Sequence, residues 1–178
     1  HLKGTRFTQP HGLKAMQGAG RTIHAFMLDK EGGLWATTGG GVYRFIKSFL
    51  SVIGHDAGLE NDYTWNVHYQ SDGNLWVGVG MGGTYRIKDG DVDLFLMKDG
   101  MPDDQVTEIF ESSDGRMWFG GVNGNIVTLK NGVWKRIDNL PGYRRARVLS
   151  IAEDSRGRIW VGTRSGLHAL EDGRFVPY

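Results

Sequence analysis

The stretch "GRIWVGTRSGL", residues 157–167, reads as a strand, a tight turn and the start of another strand, and it decides the fold because it recurs. Upstream stand "GGLWATTGGGV" from Gly32, "GNLWVGVGMGG" from Gly73 and "GRMWFGGVNGN" from Gly115. The tryptophans fall at Trp35, Trp76, Trp118 and Trp160, spaced by 41, 42 and 42 residues. A glycine-punctuated repeat of this period is the mark of a propeller.

The third repeat gives the unit most cleanly. "VTEIFES" from Val106 alternates apolar and polar residues like a half-buried strand. "SDG" at Ser113–Gly115 is a turn, since Asp bonds its own backbone and Gly accepts positive φ. "RMWFGG" is the second strand, and the Asn-Gly pair of "VNGN" turns it into "NIVTLK". A further Asn-Gly at Asn131–Gly132 leads to "VWKRI". Four short antiparallel strands joined by tight turns make one blade. The other repeats keep the order: "TIHAFML", "GLWAT", "GVYRF", "SFLSV"; "TWNVHYQ", "NLWVGV", "GTYRIK", "VDLFLM"; "RVLSIAE", "RIWVGT", "GLHALE", "RFVPY".

The expected fold is therefore all-β: a β-propeller of four complete four-stranded antiparallel blades over about 19–54, 60–98, 102–138 and 144–178. Residues 1–10, in "HLKGTRFTQPHGL", resemble the outer strand of a preceding blade. The whole chain reads as a single propeller domain or fragment, a partial ring or a ring completed by a second copy. Ile23/Phe26, Thr64/Val67, Val106/Ile109 and Val148/Ile151, twelve and nine residues before each Trp, are apolar in seven of eight cases and predict an inner strand packed on neighbouring blades. The four tryptophans are read as core, each burying about 150–250 Å2 between sheets.

Bulk composition narrows the function. Twenty-one basic and twenty acidic residues leave a net charge of +1, which argues against nucleic-acid binding. No apolar run is long enough to span a membrane. The absence of cysteine excludes disulfides and thiolate metal sites and suits a non-reducing compartment. Glycine numbers 28 against four prolines, the balance of turn-rich β structure. The chain opens on His1 rather than Met, which predicts a piece of something longer.

"DSRGRIWVGTRSGL", Asp154–Leu167, resembles throughout the two-component regulator propeller repeat, D-x-x-G-x-(L/I)-W-(V/I)-G-T-x-x-G-(L/I). "DKEGGLWATTGGGV" departs at Ala36; "QSDGNLWVGVGMGG" has Gln70 for the leading Asp and Val79 for Thr; "ESSDGRMWFGGVNGN", Glu111–Asn125, has Gly121 for Thr and is one residue off in the turn. The resemblance implies a sensor: a non-catalytic, periplasmic or extracellular module of a bacterial histidine kinase or diguanylate cyclase that binds an oligosaccharide or small polar ligand. The sialidase Asp-box does not match, because the acid lies next to Gly (Asp72, Asp114) or three before it (Asp29, Asp154). Streptogramin lyases share a related repeat but need a metal and a histidine base, and none of the six histidines forms an H-E-x-x-H pair. No cofactor and no metal are expected.

A ligand is expected where the segments leading into each first strand meet the turns between second and third strands, because the frame is fixed there and the residues vary. The lead-in segments are "GAGRT", "LENDYTW", "MPDDQ" and "PGYRRAR". Candidate ligand-binding residues are Arg21, His24, Asp62, Tyr63, Trp65, Asp104, Gln105, Tyr143, Arg145, Arg147 and Arg164. The arginines suit an anionic clamp. Alternatively Asp62, Asp103 and Asp104 pair with them, or all are solvated. Trp65 and Tyr63 suit sugar stacking, or packing. His24 shares an aligned position with Trp65, Thr107 and Leu149, facing the channel. Two other functions stay open. A lyase or glycan hydrolase would draw on His24, Tyr63 and Glu108, whereas an interaction platform would pair its open blade edges with another copy.

Overall fold

The computed structural model describes residues 22–46, 49–53, 58–61, 63–137 and 146–178. The expected outer strand at 1–10 lies outside them. The first blade comprises β1 (Ile23–Leu28), β2 (Leu34–Thr38), β3 (Gly41–Ile46) and β4 (Phe49–Ile53). The second has β5 (Thr64–Tyr69), β6 (Leu75–Val79), β7 (Thr84–Lys88) and β8 (Asp91–Phe95). The third has β9 (Val106–Glu111), β10 (Met117–Gly121), β11 (Ile126–Lys130) and β12 (Val133–Ile137). The fourth has β13 (Val148–Glu153), β14 (Ile159–Thr163), β15 (Gly166–Glu171) and β16 (Arg174–Pro177). Each set is one antiparallel sheet in sequence order, the meander of a propeller blade. The first strands β1, β5, β9 and β13 contact one another in turn, so they form the inner wall.

The outer hairpins follow their dipeptides. Asp89-Gly90, Asn131-Gly132 and Asp172-Gly173 all have positive φ at both residues, the geometry of a type I′ turn.

The repeated Trp does the same work in every blade. Each indole N–H donates to the residue six positions before it: Trp35 to Asp29 (2.9 Å), Trp76 to Gln70 (2.8 Å), Trp118 to Ser112 (2.9 Å) and Trp160 to Asp154 (2.9 Å). The leading position of the third repeat is thus Ser112, not Glu111, which corrects the alignment by one residue. Asp29 and Asp154 also accept the backbone N–H groups of their own turns. Burial opposes ionisation of Asp29, but bonds from Gly33, Arg44 and Trp35 outweigh it and hold the carboxyl below its ordinary range.

The first three indoles then pack towards the following blade. Trp35 clusters with Val67 and Val77, Trp76 with Val106, Ile109 and Phe119, and Trp118 with Val148, Ile151 and Val161. Gly78 and Gly120, two residues after their tryptophans, let the blades close. A Cβ on Gly78 would lie 2.8 Å from the Val106 carbonyl oxygen, and one on Gly120 would lie 2.5 Å from Val148 Cγ1. Carboxylates add latches. Glu111 accepts from the Ser71 N–H and hydroxyl, and Glu153 accepts from the same two groups of Ser113.

Two expectations need correction at the ends of the series. Trp160 is only half-buried, resting edge-on against Tyr178 with Arg158 over its ring, because no described residue forms a blade beyond it. Ile23 and Phe26 are 53% and 73% exposed, whereas Val67, Ile109 and Ile151 at the same position as Phe26 are buried. No described residue packs on the front of the first blade, so its apolar positions face outwards.

Candidate ligand site at the channel mouth

In every blade the inner strand is interrupted at the same point. The pairing of first and second strands shifts register between Ile23 and Ala25, Thr64 and Asn66, Val106 and Glu108, and Val148 and Ser150. The extra residue is His24, Trp65, Thr107 or Leu149, the aligned set expected at the channel. A β-bulge bends its strand and re-aims a side chain. The Thr107 hydroxyl donates to the Val148 carbonyl of the next inner strand at 2.7 Å. His24 Nδ1 contacts the Thr64 carbonyl in the same way. Trp65 finds no such partner, and its Nε1 is buried without a hydrogen bond among the described residues.

The lead-in segments and the turns after the second strands meet beside the bulges, as expected. Backbone N–H groups of Gly80, Val122 and Arg164 donate to the carbonyls of Tyr63, Gln105 and Arg147 at 2.8, 3.1 and 3.2 Å. Tyr63, Gln105 and Arg147 are therefore equivalent rim positions. Gly80 is needed there, since a Cβ on it would lie 2.4 Å from Tyr63 Cδ1 and 2.8 Å from Trp65 Nε1.

These devices bring three blades together. The His24 ring stands 5.2 Å from Tyr63 and 5.7 Å from Trp65, centroid to centroid, and Tyr63 meets Trp65 edge-on at 6.1 Å. Arg147 from the fourth blade lays its guanidinium over the Trp65 ring at 4.1 Å. Trp65 thus has His24 and Arg147 against it, while Tyr63 is 45% exposed. Burial, and then the charge of nearby Arg164, push the Arg147 pKa down.

The remaining candidates divide. Arg21, Asp62, Tyr143 and Arg145 lie outside the described residues. Asp104 is exposed, and its carbonyl accepts from Gly82 and Gly83. Gln105 is half-buried and pairs with Gly83. Asp103 does not oppose the arginines: it is buried and accepts from Asn123 and Asn125, tying the third blade's inner turn to its lead-in. Glu108 is bonded to neither His24 nor Tyr63. It accepts from Asn66 Nδ2 at 3.0 Å and from the Ile151 backbone, and burial raises its pKa to about 7. No group of three or more metal-ligating side chains occurs among the described residues. Arg147 lying on Trp65 was not legible, because the two are 82 residues apart and belong to non-adjacent blades.

Residues 100–123 and 142–165 match the family model described as two component regulator propeller. No curated protein matches the chain. Among solved structures, the extracellular domain of a protein described as a hybrid two component system from B. thetaiotaomicron superposes with TM-score 0.76 at 22% identity, over 88% of this chain and 23% of that one. The extracellular domain of a one component system from the same organism gives TM-score 0.71 at 19% identity, over 84% and 21%. Virginiamycin B lyase from Staphylococcus aureus gives 0.74 at 18% identity, over 91% and 56%. The chain spans about a quarter of the two signalling domains and about half of the lyase. With four equivalent four-stranded blades the chain is a β-propeller, and segments of its third and fourth blades match the two component regulator propeller repeat.

Proposed function

We propose that this propeller is a sensory module on the periplasmic or extracellular side of a bacterial signalling protein, which binds a small polar ligand or oligosaccharide at its channel mouth without converting it. The observation that carries the reading is the convergence of His24, Tyr63, Trp65 and Arg147 from three blades on one rim. Fixed frame bonds beneath a rim of unlike side chains are what a ligand-selecting scaffold needs. The likeness to extracellular domains of signalling systems supports the setting. No described helix is long and apolar enough to cross a membrane.

The lyase likeness keeps a catalytic reading in play, though it rests on fold alone. One experiment separates the two. The chain is incubated with a panel of oligosaccharides while its melting temperature and the products are followed. A ligand that binds only the native state raises Tm. The proposal expects Tm to rise for at least one oligosaccharide, the sugar recovered unchanged, and the rise lost in Trp65→Ala. Product formation abolished by His24→Ala would replace it with the enzyme. Self-association through open blade edges is a separate expectation that solution mass would test.

A further inference from the structure

We infer that the mouth selects an anionic sugar, whose carboxylate or sulfate oxygens are gripped by Arg147 with Arg164 beside it. This deepens the ligand-binding reading above and rests on it.

Among the described residues, neither Arg147 nor Arg164 takes part in an ion pair, and Asp103, which could have served, is spent on Asn123 and Asn125. Arg147 is held all the same. Its guanidinium lies on the Trp65 ring at 4.1 Å, and its Nε is buried without a hydrogen-bond partner. Its terminal nitrogens make no hydrogen bond to any described residue, so the outer fork remains free to donate. Placing Arg164 close enough to disfavour the charge on Arg147 costs stability unless an anion resolves it.

A guanidinium pre-set on an indole loses little freedom on engaging a planar or tetrahedral oxyanion. Trp65 is thereby a positioning residue for the fork rather than the sugar platform its sequence context suggested. The aromatic surface left for a sugar ring is that of Tyr63, which is 45% exposed. One charged fork beside one open aromatic ring fits a pyranose carrying an acidic substituent better than a neutral one.

Binding is measured by calorimetry for three oligosaccharides of equal length: one bearing uronate, one sulfated and one neutral. The expected result is that at least one charged sugar binds tenfold or more tightly than the neutral one, and that its affinity falls as salt rises. Uronate and sulfate arms tell the two anion sources apart. Arg147→Gln should reduce charged-sugar affinity at least tenfold with little change in the Tm of the free protein. Arg147→Lys should fail to restore it, because an ammonium keeps the charge but lacks the fork. Neutral sugar binding as tightly as both charged ones, or unaltered affinity in Arg147→Gln, would overturn the inference while leaving the ligand-binding reading intact. Binding of none of the three would overturn that reading and the inference with it.

Discussion

The two ends of these blades follow opposite rules. At the end carrying the turns between first and second strands, Trp35, Trp76, Trp118 and Trp160 make one bond four times, to Asp29, Gln70, Ser112 and Asp154. At the mouth, four bulges in one register present His24, Trp65, Thr107 and Leu149, of which only His24 and Thr107 make the same bond to the next inner strand. Backbone geometry repeats at both ends, but one side-chain bond recurs in all four blades only at the tryptophan end. Sameness marks the frame, and difference marks the place where selection by a ligand can act.

The widest separation between the ends should appear on truncating an aromatic in each. Trp76 is fully buried, touching Phe95, Phe119 and Trp134, so Trp76→Ala should cost about 3–5 kcal/mol in denaturant unfolding. Trp160→Ala should cost clearly less, since Trp160 is only half-buried. Tyr63→Ala, at the exposed rim, should stay within about 0.5 kcal/mol while lowering ligand affinity. Equal losses at Trp76 and Tyr63 would dissolve the distinction.

Between the ends lies Glu108, bonded to Asn66 and Ile151, with its pKa raised to about 7 by burial. The folded state holds this proton above the pH at which the unfolded chain releases it, so the contribution of Glu108 to stability falls as pH rises from about 4.5 to 7 and is level above that. Glu108→Gln should remove that contribution and be more stable than the parent at pH 8, by up to about 3 kcal/mol. Burial also lowers the pKa of His68, which tilts parent and variant alike, so a parent-minus-variant difference in stability that does not fall across that window would contradict the burial of Glu108.

Smaller effects test the junctions. Gly120→Val should cost about 1–3 kcal/mol, because even its Cβ meets Val148. Glu153→Gln, which weakens the latch to Ser113, should cost about 1 kcal/mol and Glu111→Gln a similar amount. Glu31→Gln carries no such latch between blades, and its carboxylate pairs on the surface with Arg44, so it should change little.

The frame was legible in the sequence because its signals are local: a Trp every forty-two residues or so, turn dipeptides with the right φ preference, and alternating inner strands. The leading position of the third repeat was missed because Ser112 accepts the Trp118 indole with a hydroxyl, while the acid next to it, Glu111, serves a latch to another blade. Phe26 and Trp160 carry core-like residues, and their exposure depends on which blades stand beside them. At the mouth, the alignment of His24 with Trp65 was readable, but its physical cause, a bulge, was not. Asp103 looked like a partner for arginine, yet its nearest donors, Asn123 and Asn125, lie in its own blade.

The most direct test of the repeated frame is the indole N–H region of the 15N–1H spectrum, recorded for Asp29→Ala, Gln70→Ala, Ser112→Ala and Asp154→Ala. Each substitution should move the resonance of its own tryptophan, respectively Trp35, Trp76, Trp118 and Trp160, and leave the other three in place. A Ser112→Ala protein whose Trp118 indole resonance does not move would contradict the shared bond from which the four-blade frame is built.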